Sequence, residues 1–116
     1  NLATRRADAV LIGDDRFSKT NIGAIAALAL KYKMPSVFPV LRAAEQGGLI
    51  GAAGNRQYRY QGAAVYVQRI LGGEKAGDLP IEPPAKLDLA INQKTAAALG
   101  ITLPPAIVAR AQKVVE

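Results

Sequence analysis

The sequence predicts an α/β unit built on a mainly parallel sheet with flanking helices, and three observations support that class. Short runs rich in Val, Leu and Ile alternate with longer amphipathic stretches along the chain. The first run, Ala7 to Gly13, is almost continuously apolar, the pattern of a central parallel strand covered on both faces. From that run to the end of the second the chain spans about 30 residues, the length of a right-handed β-α-β crossover.

Size and composition agree. A chain of 116 residues fits one domain with a real core, and a hydrophobic content of 50% argues against disorder. No apolar run approaches the roughly 18 residues of a membrane span; the longest, Ile22 to Leu30, reads as a buried helix face. Asn1 to Arg6 is neither a signal peptide nor a methionine start, so a processed or truncated product is expected.

The elements follow from their boundary residues. Asp14 and Asp15 fall at the carboxyl end of the first strand. Ser18 is the expected N-cap of a helix from Lys19 to Lys33, with Ile22, Ile25, Ala26 and Ala29 along one stripe. Met34-Pro35 breaks it, and Ser36 to Pro39 makes the second strand. Leu41 to Gln46 is a short helix stopped at Gly47-Gly48, where a positive φ is expected, and Leu49 to Ala53 is the third strand.

A longer helix runs from Gln57 to Leu71, with Tyr60, Ala63, Ala64, Val67, Ile70 and Leu71 as its apolar stripe and Gly72-Gly73 as its stop. Glu74 to Lys86 is a connector held extended by Pro80, Pro83 and Pro84. Leu87 to Ile91 alternates as an edge or half-exposed strand does. Asn92 caps a short helix to Leu99, Gly100 ends it, and Pro104-Pro105 opens a last helix to Val115.

Much chemistry is excluded at once. With no cysteine and no histidine, the chain lacks disulfides, thiolates, the commonest general base and the commonest metal ligand. The net charge of +6 is spread along the chain without a basic cluster or interleaved aromatics, so nucleic-acid binding is not expected. Asp14 and Asp15 are adjacent, and neighbours that continue a strand point to opposite faces, which makes them a poor catalytic or metal-binding pair. Two other readings stand for them: helix-entry carboxylates, or a ligand contact outside the carboxyl end of a strand.

Gly47 to Gly54 has the spacing G-x-x-G-x-x-G, not the dinucleotide fingerprint, and reads as backbone turning and close packing. Of Tyr58, Tyr60 and Tyr66, at least one is read as core packing. Ser18 and Ser36 lack any base or nucleophile-elbow context. No catalytic residue, metal site or cofactor is therefore expected.

Taken in order, Ala7 to Asp15 (ADAVLIGDD), Lys31 to Pro39 (KYKMPSVFP), Glu45 to Asn55 (EQGGLIGAAGN) and the stretch from Ala63 to Glu116 resemble the C-terminal third of ABC-transporter substrate-binding proteins, relatives of the tryptophan/tyrosine-type binding proteins with the type I periplasmic-binding fold. The final stretch carries the most specific part of the match. The resemblance implies a two-lobed extracytoplasmic or periplasmic receptor that binds a small polar or amino-acid-like ligand and delivers it to a membrane permease, without chemistry of its own.

In those terms residues 1–55 form a second-lobe β-α-β segment, 56–73 a helix packing on the other lobe, and 74–116 the connector, strand and C-terminal helices returning between lobes. The resemblance places Asp15 facing the cleft, Arg16 and Phe17 on the cleft-lining turn, and Leu41 and Arg42 where a short helix approaches the ligand. It also marks departures, because many members carry an Arg-Glu pair at Leu41-Arg42 and a polar-aromatic pair at Gly51-Ala52. A fragment cut this way is expected to pair as a homodimer through the 57–71 helix or the tail. The rivals are a freestanding ligand-sensing or interaction domain and a small enzyme using Asp14 and Asp15.

Overall fold

A computed structural model describes residues 7–83 and 86–116. The expectations for the chain start at Asn1–Arg6 and for Pro84 lie outside the described residues. The chain divides into two compact units: one joins Asp88–Glu116 to the chain up to Ala53, the other is Gly54–Leu87.

Among the described residues a five-stranded sheet runs in the order β1-β2-β3-β4-β5. The strands are β1 (Val10–Leu11), β2 (Ser36–Phe38), β3 (Ile50–Gly54), β4 (Leu87–Asn92) and β5 (Lys113–Val115). β1 and β2 are parallel with Val10 opposite Ser36, β2 and β3 with Val37 opposite Ile50, and β4 and β5 with Ala90 opposite Lys113. Asn92 N–H donates to the Leu49 carbonyl at 3.0 Å and Asn55 N–H to that of Lys86 at 3.0 Å. Rising numbers on β3 meet falling numbers on β4, so this pair alone among the described strands is antiparallel. The fold is α/β on a mixed, mostly parallel sheet.

The core lies where the crossover helix covers β2. Ile12, Ile22, Ala26, Phe38 and Ala43 are buried together, with Val10, Ile25 and Val40 packed against them. The crossover is two helices rather than the single one expected. α1 (Arg16–Thr20) and α2 (Ile22–Lys31) meet at Asn21, whose φ of −110° and ψ of 24° break the ladder. Thr20 Oγ1 donates to the Arg16 carbonyl and Asn21 Nδ2 to that of Phe17, so two side chains compete with the backbone just where the helix stops.

α2 ends with Met34 N–H bonded to the Ala29 carbonyl at 2.8 Å and Lys33 N–H to that of Leu30 at 2.9 Å. Lys33 takes the left-handed position, φ 54°, that closes this motif. The same closure ends α4 (Gln93–Leu99) at Gly100, φ 72°, as its sequence indicates.

Three strand expectations need correction. β1 holds the end of the strand order and exposes Leu11 to 80%, so it is not covered on both faces. β4 is interior rather than an edge, and its second half, Ala90-Ile91-Asn92, is buried. The last helix, α5 (Pro105–Arg110), stops five residues short of Val115, because Lys113-Val-Val pairs with β4 as β5. Gln112 latches that return: its N–H donates to the Leu89 carbonyl at 2.9 Å and its Oε1 accepts the Leu89 N–H.

In the second unit α3 (Arg56–Leu71) is capped by Asn55, whose side chain accepts the Tyr58 N–H. None of its residues is buried, so the expected apolar stripe packs against nothing within the unit. No tyrosine of α3 is a core residue either. Tyr58 and Tyr60 are exposed, and half-buried Tyr66 donates its hydroxyl to the Pro80 carbonyl at 2.6 Å. Arg69 forks onto both carboxylate oxygens of Glu74 at 3.0 Å, with the closest contact at 2.7 Å, fixing the start of the connector.

Candidate functional site

Because β1 and β2 are parallel and adjacent, the residues that follow both strands emerge along one edge of the sheet. From β1 come Asp14, Asp15 and α1; from β2 comes a 3-10 turn, Leu41–Ala43. Between them lies an open depression of about 570 Å³ lined by Asp14, Asp15, Arg16, Lys19, Thr20, Arg42 and Gln46. Three of the sequence-predicted site residues, Asp15, Arg16 and Arg42, thus come together. Phe17 and Leu41 are not part of that lining: Phe17 is 72% exposed on α1, and Leu41 is half-buried.

Asp15 is the N-cap of α1, the role that the sequence assigned to Ser18. Its Oδ1 accepts the Ser18 N–H at 2.8 Å and its Oδ2 the Ser18 hydroxyl at 2.7 Å. The Ser18 N–H and then its hydroxyl hold the Asp15 carboxyl below the ordinary 3.8, with smaller help from the Phe17 N–H and the Lys19 charge. Asp14 is ion-paired with Lys19. Arg42 reaches across from the 3-10 turn and donates to the Lys19 carbonyl at 2.9 Å.

The approach of that turn depends on Gly51, within the glycine run read as close packing. A Cβ at Gly51 would stand 2.5 Å from the Val40 carbonyl oxygen and 2.9 Å from both Cα and O of Leu41. The smallness of Gly51 therefore serves backbone contact beneath the turn and does not widen the depression. At Gly47 the backbone takes φ 93°, and a Cβ at Gly48 would stand 2.8 Å from the Phe38 ring, so this glycine run is a turning and packing device as read. Lys19, Thr20 and Gln46 were not singled out as site residues. The spacing of Arg16 and Thr20, four apart on one helix face, was the available signal.

Among the described residues no group of three or more acidic side chains is placed to hold a metal ion. Among those residues no helix is long and apolar enough to cross a membrane.

A sheet edge that gathers charged side chains around an open depression lies where open α/β sheets bind ligands. The sequence model of the family described as ABC transporter substrate binding protein matches residues 1–115, and the chain belongs to that family. A conserved domain protein from Vibrio cholerae O1 biovar El Tor is similar in structure, with a TM-score of 0.73 and 27% identity over 97% of this chain and 38% of that one.

An ABC domain from Streptococcus pneumoniae, solved in complex with L-Trp, gives a TM-score of 0.70 at 23% identity, over 98% of this chain and 40% of its own. A ligand-free, open substrate-binding protein with adhesive properties from Clostridium difficile gives 0.71 at 20%, over 98% and 38%. The present chain thus spans about two-fifths of the length of these structures. No curated protein sequence matches it.

Proposed function

We propose that this chain forms one wall of the ligand cleft in the solute-binding component of an ABC-type uptake system. The protein holds a small polar or amino-acid-like solute between two lobes, outside the cytoplasm, and passes it unchanged to a membrane permease. Family membership over residues 1–115 supports the class. The observation that carries the site is the convergence of Asp15, Arg16 and Arg42 on one depression at the carboxyl ends of two parallel strands. Asp15 serves that wall as the brace of α1, which keeps Arg16 at the rim; Leu41 and Phe17 stand beside the depression as apolar margins.

The test is equilibrium dialysis of the full-length protein against an extract of complete growth medium, followed by mass spectrometry of what the protein retains. One small polar compound, held at one per protein and lost from uptake when the gene is deleted, is expected. No retained solute, or a chemically altered one, would overturn the reading.

A further inference from the structure

We infer that the solute is recognised through a carboxylate, taken by Arg16 and Arg42, and not through an ammonium group taken by Asp14 or Asp15. This deepens the solute-binding reading and rests on it. The charges around the depression do not leave equal freedom to both signs. Asp14 is already paired with Lys19, and each oxygen of Asp15 already accepts a bond from Ser18. Both acids are engaged within their own turn.

The arginines are in the opposite state. The Arg16 side chain makes no hydrogen bond or ion pair with any described residue. Arg42 gives one bond, to the Lys19 carbonyl at 2.9 Å, and a guanidinium has five N–H donors in a rigid fork. That single bond also aims it, since it ties the 3-10 turn after β2 to α1 and holds the remaining donors at the depression. A planar fork with spare parallel donors matches a carboxylate bidentately, and with Lys19 the two arginines outweigh the two carboxylates of the lining. The Gln46 amide adds neutral donors and an acceptor on the same lining. An ammonium entering here would meet a net positive lining, and the carboxylates open to it are already shared with Lys19 and Ser18.

The experiment separates the two halves of an amino acid. The full-length protein, labelled with nitrogen-15, is titrated at constant ionic strength with sodium acetate and, in parallel, with methylammonium chloride. Acetate is expected to shift the Arg16 and Arg42 side-chain N–H signals and the Thr20 and Gln46 amides saturably, while methylammonium leaves them in place. Arg16→Gln, which breaks no bond within the described structure, should weaken acetate binding about tenfold or more, and Arg42→Gln likewise. Shifts driven by methylammonium and not by acetate, or no response to acetate, would overturn the assignment. A protein that retains a solute in dialysis yet ignores acetate keeps the binding reading and loses this one. One that takes acetate at Arg16 yet retains no solute keeps a carboxylate site there and loses the solute-binding reading, and with it the assignment to a solute.

Discussion

The side-chain amide of Asn92 donates to the carbonyl oxygen of Ala44 at 2.7 Å, joining the end of β4 to the turn that follows Arg42. Its other side-chain atom, Oδ1, accepts the Thr95 N–H at 2.8 Å and caps α4. One buried residue therefore ends a strand, starts a helix and holds a carbonyl of the site-bearing segment. Asn92→Ala removes the cap and leaves the buried Ala44 carbonyl with the Gly47 N–H at 3.4 Å, a combined cost of about 1–3 kcal/mol. Asn92→Ser, which keeps a capping oxygen, recovers about 1 kcal/mol of it. Urea denaturation of the two variants checks both figures.

Gly51→Ala drives a methyl group into the backbone of Val40 and Leu41. Overpacking of this kind costs about 1–3 kcal/mol, and here the atoms that must move carry Arg42. We expect solute affinity to fall together with stability, read by calorimetry and thermal denaturation. Gly47→Ala, strained by a positive φ but with only the Ala26 methyl nearby at 3.9 Å, should lower stability and leave affinity unchanged.

Asp15 and Glu74 give the fold an acid dependence of definite sign. Ser18 lowers the Asp15 carboxyl from 3.8, and Arg69 lowers that of Glu74 from 4.5. A group whose folded value is depressed adds stability above its unfolded value and loses it as pH falls through the folded one. Stability should therefore hold down to about pH 4.5 and decline below that, most steeply beneath the ordinary 3.8 of Asp15. Asp15→Asn keeps a capping oxygen but does not titrate, so it should flatten the lower part of that decline in denaturation curves taken across the acid range.

The exposed stripe of α3 predicts tolerance. Val67 and Leu71 are 55% and 83% exposed, and replacing either with Ser should change stability by no more than about 0.5 kcal/mol. Ile91, fully buried in β4, should lose about 2–5 kcal/mol on change to Ala. Equal costs at these positions in chemical denaturation would contradict the burial pattern.

What could be read in advance divides by range. Asn92, Gly100, Pro105 and the Gly47 turn were legible because a cap, a left-handed stop or a fixed φ depends on a few neighbouring residues. Lys113-Val-Val was not, because a three-residue strand exists only through Ala90 to Asn92, more than twenty positions earlier. The edge placement of β4 failed for the same reason, although its half-exposed first part held: alternation in Leu87 to Ile91 cannot reveal that β5 will cover its far side. At the site, the resemblance placed Asp15, Arg16 and Arg42 along one cleft, and the parallel pairing of β1 and β2 explains why they share an edge. Asp15 was readable as a helix-entry carboxylate but not as the cap itself, because Asp15 and Ser18 are both good caps and only the true helix start chooses between them.

Since no residue of α3 is buried, its amides are shielded from solvent by the helix's own hydrogen bonds alone. A helix of sixteen residues is close to the length at which such bonds barely hold in water. In hydrogen–deuterium exchange, segment 56–71 should open by fraying and trade its protons early, while Ile91 and Phe38 wait for the whole molecule to unfold. A protease would make the same distinction, cutting first within 54–87 before it reached the strands that frame the arginines.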